Sequence, residues 1–308
     1  MEETAGVLLA CSRLFFRYFA RYSGSPLYHT RPESTAAAFI LSRHKEVPPL
    51  AIKELEHDGA DFISGLISCM RAHSRRKPFT LDIIDAQELE GVMDIFVILL
   101  VMSKKFHQET VQRFPDVMEI ILDIWGTYVK GPVEDDGFFL WDFARDDDYG
   151  AQARCLTPCA LAVTTLLGRG GAVAHRRAVR KGLLLSIQLT LSKVPQPCLD
   201  RHLVGTLEST LITLKSLLPQ YSVLSSVVHS LRKVDELGSH VHGKDLWISK
   251  PRSEPVRALW GAWEELRRAA DNRLPILDEY NKYVVASQPA LCSNQNVSTL
   301  FSILIFLA

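Results

Sequence analysis

Leu89-Glu-Gly-Val-Met-Asp-Ile-Phe-Val-Ile-Leu-Leu-Val-Met-Ser-Lys-Lys105 decides the fold of this chain. From Ile95 to Met102 no polar residue interrupts it. The run is shorter than the ~20 apolar residues that cross a bilayer. Val and Ile favour strands, and over so short a run periodicity does not separate a buried strand from a buried helix. The flanks, from Ala86 to Gly91 and from Ser103 to Thr110, are helical in character and favour the helix. A helix that is apolar on every side is covered on every side. The stretch is therefore expected to be the innermost helix of an all-α domain.

Toward the N-terminus, Val7, Leu8, Cys11, Leu14, Phe15, Tyr18, Phe19 and Tyr22 recur at helical spacing, with Arg13, Arg17 and Arg21 on another face. This amphipathic helix suits a docked end helix, with a membrane-surface role as the alternative. Shorter helices are expected around 33–43 and 51–56. Another covers 61–73, with Phe62, Ile63, Leu66, Ile67, Cys69 and Met70 inward.

Toward the C-terminus, Pro115 opens a helix whose inner stripe is Val117, Met118, Ile120, Ile121, Ile124, Trp125 and Tyr128. Acidic loops follow at 133–137 and 146–148. Cys155 to Leu167 reads as helix, broken at Gly168-Arg-Gly-Gly171, and 173–194 as helix in two pieces around Gly182. Leu199, Leu203, Leu207, Leu211, Leu214 and Leu218 are spaced by four, four, four, three and four residues. A partner helix carries Val223, Leu224, Val227, Val228, Leu231, Val234 and Leu237, capped by Gly238. Across the tight turn the two are expected to form an antiparallel hairpin. The last helices start at Pro255 and Leu274, the second turning Ile276, Leu277, Tyr280 and Val284 inward.

Helical pairs follow one another roughly every 40–45 residues, the period of HEAT and armadillo arrays, in which each pair covers its apolar face against its neighbours. The expected organisation is an irregular armadillo/HEAT-like array over 1–240, a loop or hinge over 241–254, terminal helices packed on the array over 255–287, and a linker with an apolar tail over 288–308.

Composition sets the function classes. Lys plus Arg (35) equals Asp plus Glu (35), so bulk charge points to no nucleic-acid partner. The basic runs Arg71–Lys77 and His175–Lys181 read as solvated helix faces or ends. The six cysteines are scattered, without a secretory signal, which fits a reducing compartment, cytoplasmic or nuclear. No stretch is expected to span a membrane. The chain contains no P-loop, nucleophile-elbow or zincin motif. Gly168–Gly171 follows a helix instead of a strand and reads as a break, not a phosphate cradle.

His57-Asp58 is the dipeptide that supplies two adjacent ligands in all-α metal phosphohydrolases. His29 and Asp85 are nominable as further ligands, but Asp58-Gly59 reads as a turn. A metal-dependent hydrolase of this type is the alternative function. Cys155 and Cys159, one helical turn apart, could hold half a zinc site, but no second pair lies near. His240 and His242 sit in what reads as a polar loop.

Trp260-Gly-Ala-Trp-Glu-Glu-Leu-Arg-Arg-Ala-Ala270, then Arg273, then Leu291-Cys-Ser-Asn-Gln-Asn296 resembles fungal proteins that carry a long helical region followed by a MYND-type zinc finger. In that group the first zinc Cys belongs to a C-x4-C pair. Cys292 matches the first position, but the second falls at 297, which is Val. The resemblance implies a non-catalytic scaffold for protein partners, with zinc in an intact full-length form. One thiolate does not close a tetrahedral site, so no zinc is expected at Cys292 in this chain as written. Val297-Ser298 is what an in-frame splice-donor sequence encodes. The apolar tail after Asn296 is thus either translated intron or a true C-terminal element.

Overall fold

The computed structural model describes residues 63–75, 83–130, 146–193, 199–241 and 254–291. Among the described residues none lies in a strand, so the chain is all-α. After a helical segment over 63–74, the helices are α1 (Ile83–Met102), α2 (Lys104–Arg113), α3 (Val117–Lys130), α4 (Asp146–Lys181), α5 (Leu183–Lys193), α6 (Arg201–Leu217), α7 (Tyr221–Val241), α8 (Glu254–Asp271) and α9 (Leu274–Leu291). His57, Asp58, Cys292, the helix over 4–22 and the tail after Asn296 lie outside the described residues.

The deciding stretch is helical, and it is buried on nearly every side. Leu89, Val92, Met93, Ile95, Phe96, Val97, Leu99 and Leu100 are all buried. The last turn departs from the expectation: Val101 and Met102 are each 49% exposed, because the covering helix α4 ends its first half there. The helix with the most neighbours is α4, on which α1, α3, α5, α6 and α7 all pack.

Helix α4 is longer than its apolar pattern suggested. It begins at Asp146, with the acidic cluster at its start, and runs through Pro158. A proline there removes one backbone hydrogen bond, which α4 tolerates with neighbours packed along it. The glycine break is real. Gly171 has φ 59° and ψ −159°, a region essentially closed to other residues, so α4 is two helices joined at a kink. Gly182, at φ 108°, then separates α4 from α5.

Side-chain pairs give the directions of packing. Glu119 and Asp123 of α3 bind Arg177 and Lys181 of α4 at 3.3 and 3.0 Å. Both numbers advance together, so α3 runs parallel to the second half of α4. Arg169 reaches Leu100 and Val101, while the Asp94 charge acts on Cys159, so α1 runs parallel to the first half of α4. Two successions of neighbours result: α1, α4, α6 and α8, and α3, α5, α7 and α9. Bonds cross within each: Thr164 and Thr210 hydroxyls at 2.9 Å, Lys215 and Glu265 at 2.6 Å, Trp125 and Thr190 at 2.9 Å, Tyr221 and Asn281 at 2.8 Å.

Three local expectations are corrected. Helices α6 and α7 are joined by a tight turn but touch each other little; α6 packs mainly on α8 and α4, and α7 on α4 and α5. Their leucine and valine stripes are spent on those neighbours. Gly238 does not end α7, which continues to Val241, so His240 is helical and not in a loop. The last helix α9 passes through Pro289 to Leu291, beyond the boundary set at 287. Pro289 falls in its final turn, where the helix is already ending. Of the predicted inner face of α9, Leu277 is buried, Tyr280 is half-buried and Ile276 is 56% exposed, because α9 has only α7 as a substantial neighbour among the described helices.

Candidate functional site

The end of α1, the whole of α2 and the kink in α4 meet around one concavity. Ser103 separates the two short-linked helices. Its backbone is extended (φ −114°, ψ 110°), and its Oγ accepts the Phe106 N–H at 3.1 Å, the bond of an N-cap. Phe106 then turns inward and meets Phe96 edge-on, with ring centroids 5.9 Å apart. That contact seats α2 against α1 and fixes which side of α2 remains outside.

A helix end leaves its last carbonyls without helical partners. At the end of α1, the Ser103 N–H takes the Leu99 carbonyl at 2.9 Å. Arg169, from the last turn before the α4 kink, donates to the carbonyls of Leu100 and Val101 at 3.1 and 3.2 Å. A cation at this negative end of the helix dipole is favourable. Two of the five guanidinium N–H donors are thereby used, and the rest are directed elsewhere.

The concavity so formed has a volume of about 490 Å³ and is lined by Lys104, His107, Gln108, Val111, Gln112 and Arg169. No acidic side chain lines it. The first turn of α2 is also without an acid, although its positive dipole end already carries Lys104 and Lys105. His107 is 7% exposed, and its Nε2 is sealed without a hydrogen-bond partner among the described residues. Burial, and then the charge of Arg169, hold its imidazole below the ordinary histidine range, so the ring is neutral at pH 7. One exposed apolar side chain, Val111 at 43%, belongs to the lining, and Val101 and Met102, also exposed, lie at the helix end whose carbonyls Arg169 binds.

The residues singled out from the sequence are distributed elsewhere. Cys155 and Cys159 are fully buried on α4, neither in a disulfide. Burial, and next the Asp94 carboxylate, push the Cys159 thiol upward, so it stays protonated and is a poor metal ligand. No group of three or more His, Cys, Asp or Glu side chains is placed to hold a metal among the described residues. Asp85 lies in α1, and its companions His29, His57 and Asp58 are not among the described residues.

The basic run 175–181 is structural. His175 Nδ1 donates to the Gly171 carbonyl at 2.8 Å across the kink, and Arg177 donates to the Pro115 carbonyl at 2.8 Å. With the Arg177–Glu119 and Lys181–Asp123 pairs, the run stitches α4 to α3. Arg71, from the other basic run, makes a two-pronged bond to Asp116 at 2.8 and 2.9 Å and lies over the Phe114 ring.

Lys104, His107 and Arg169 carry no motif, which is why composition and spacing passed over them. The one trace in the sequence is Ser103-Lys-Lys directly after the apolar run, a capped helix start bearing two cations and no acid.

One described stretch, Cys155–Lys181, is long and apolar enough to cross a membrane; here it is the kinked helix on which five others pack. Comparison with family models, with curated proteins and with solved structures yields no match, so the reading of this chain rests on its own residues.

Proposed function

We propose that this chain is a non-catalytic protein-interaction scaffold, an irregular armadillo/HEAT-like helical array whose partner site is the concavity between α1, α2 and α4. The observation that carries the reading is the order of helix contacts. Each succession, α1–α4–α6–α8 and α3–α5–α7–α9, joins helices two or three places apart in chain order, as the two layers of a stacked helical array do. The concavity supports a binding role. Its lining supplies hydrogen-bond donors, two cations of which Arg169 is held in place, and the apolar Val111, without a nucleophile beside a base. The likeness of residues 260–296 to helical proteins bearing a MYND-type finger supports the same class of function, with zinc belonging to an intact finger and protein partners as ligands.

Panning the whole chain against a displayed random-peptide library tests the proposal. A reproducible consensus, displaced by the free peptide, is the expected result. A chain that enriches no peptide, yet hydrolyses phosphoesters in a metal-dependent and His57-dependent manner, overturns it.

A further inference from the structure

We infer that the α1–α2–α4 concavity takes an acidic peptide segment: a side-chain carboxylate received by Lys104 and Arg169, with an adjacent aliphatic side chain on the apolar rim. This rests on the scaffold reading and names the ligand class for its site.

The argument is one of uncompensated charge. Lys104 stands at the positive end of the α2 dipole, and like charge there is unfavourable until an anion arrives. Arg169 adds a second cation to the same lining, and neither the lining nor the first turn of α2 contains an acid. Arg169 is held in place by the Leu100 and Val101 carbonyls, so it meets a ligand without first losing side-chain freedom. A carboxylate matches the planar donor edge of a guanidinium. Gln108 and Gln112 offer both donors and acceptors, which suits the peptide groups flanking a carboxylate.

The rim selects the class of macromolecule. Val111, the apolar member of the lining, is 43% exposed, and Val101 and Met102, at the helix end that Arg169 binds, are each 49% exposed; none of the three is aromatic. Single-stranded nucleic acid is held by a basic track with aromatic platforms for the bases, and neither is present in this lining. A peptide that alternates Leu or Val with Glu or Asp fits both the floor and the rim.

Fluorescence anisotropy with the full chain tests the inference. The probes are a labelled peptide with the core Leu-Glu-Asp-Leu, its Leu-Gln-Asn-Leu counterpart, and a single-stranded oligonucleotide. Lys104 and Gln108 are exposed, so K104E and Q108E alter the lining without touching the core. The acidic peptide is expected to bind, the amide counterpart to bind at least about tenfold more weakly, and the K104E/Q108E chain to lose about tenfold or more. Circular dichroism should show both chains equally folded.

Equal binding of the acidic peptide to the parent and K104E/Q108E chains overturns the site. Preference for the oligonucleotide, or for the amide peptide, overturns the ligand class. A library consensus that lacks acidic residues overturns this inference while leaving the scaffold reading intact; a library that enriches nothing removes both.

Discussion

The Trp125 indole N–H donates to Thr190 Oγ1 at 2.9 Å, and the Thr190 hydroxyl donates in turn to the Ser186 carbonyl at 2.8 Å. Both side chains are buried, so this two-step relay joins α3 to α5 where water cannot substitute. Thr190→Val keeps the shape and removes the acceptor, leaving the indole N–H unsatisfied. The expected loss is about 1–3 kcal/mol of unfolding free energy, measured by urea denaturation. Thr190→Ser retains the hydroxyl and should lose less.

The glycines at the α4 kink separate by their surroundings. Gly168 has open space where a Cβ would stand, so Gly168→Ala should be neutral or raise stability by about 0.5–1 kcal/mol through helix propensity. At Gly171, φ is +59°, and Gly171→Ala should cost about 1–3 kcal/mol. A Cβ on Gly170 would stand 2.5 Å from the Ala174 Cβ, so Gly170→Ala should also destabilise. Melting temperatures of the three variants give the order; a stabilising Gly171→Ala would show that the kink is not formed.

Asp94 lies on α1, partly buried among apolar neighbours. Burial, and next the Glu90 charge, raise its carboxyl to about 6. The ordinary value, about 4, holds in the unfolded chain, so between these two values the folded state binds more protons. Stability from this group is therefore fully present below about pH 4 and is lost as pH rises to about 6. Asp94→Asn should remove that slope and raise stability at pH 7 by about 1–2 kcal/mol. Denaturation midpoints from pH 4 to 8 check the sign; a variant less stable than the parent at pH 7 refutes the assignment.

Cys69, Cys155 and Cys159 are buried and in no disulfide. In the folded chain they should resist alkylation and react together when the chain unfolds. Peptide mapping after timed iodoacetamide treatment reads each site separately. Prompt labelling of Cys159 at pH 7.5 would contradict its buried, protonated state.

Much of the architecture was legible in apolar spacing. The stripes on α3, α6, α7 and α8 point inward as read, and the glycines at 168–171 and 182 mark real breaks. What periodicity could not supply was the choice of neighbour. The α6 stripe is satisfied equally by α7 or by α8 and α4, and only the whole set of contacts selects the second. For the same reason Ile276 has the spacing of a core residue yet is exposed, since none of the described helices covers it. The concavity was less legible still. Lys104 and Arg169 are separated by sixty-five positions, and each is an ordinary surface residue until the ends of α1 and α4 bring them together.

Arg169 holds two posts at once: it covers the last carbonyls of one helix and it walls the hollow beside them. Whatever enters that hollow and binds the guanidinium's remaining N–H groups shares one side chain with a helix terminus. Occupancy and the tightness of the final turn of α1 are thus linked through a single residue, and a bound guest would be felt by the amides near Val101 before any other part of the molecule registered its arrival.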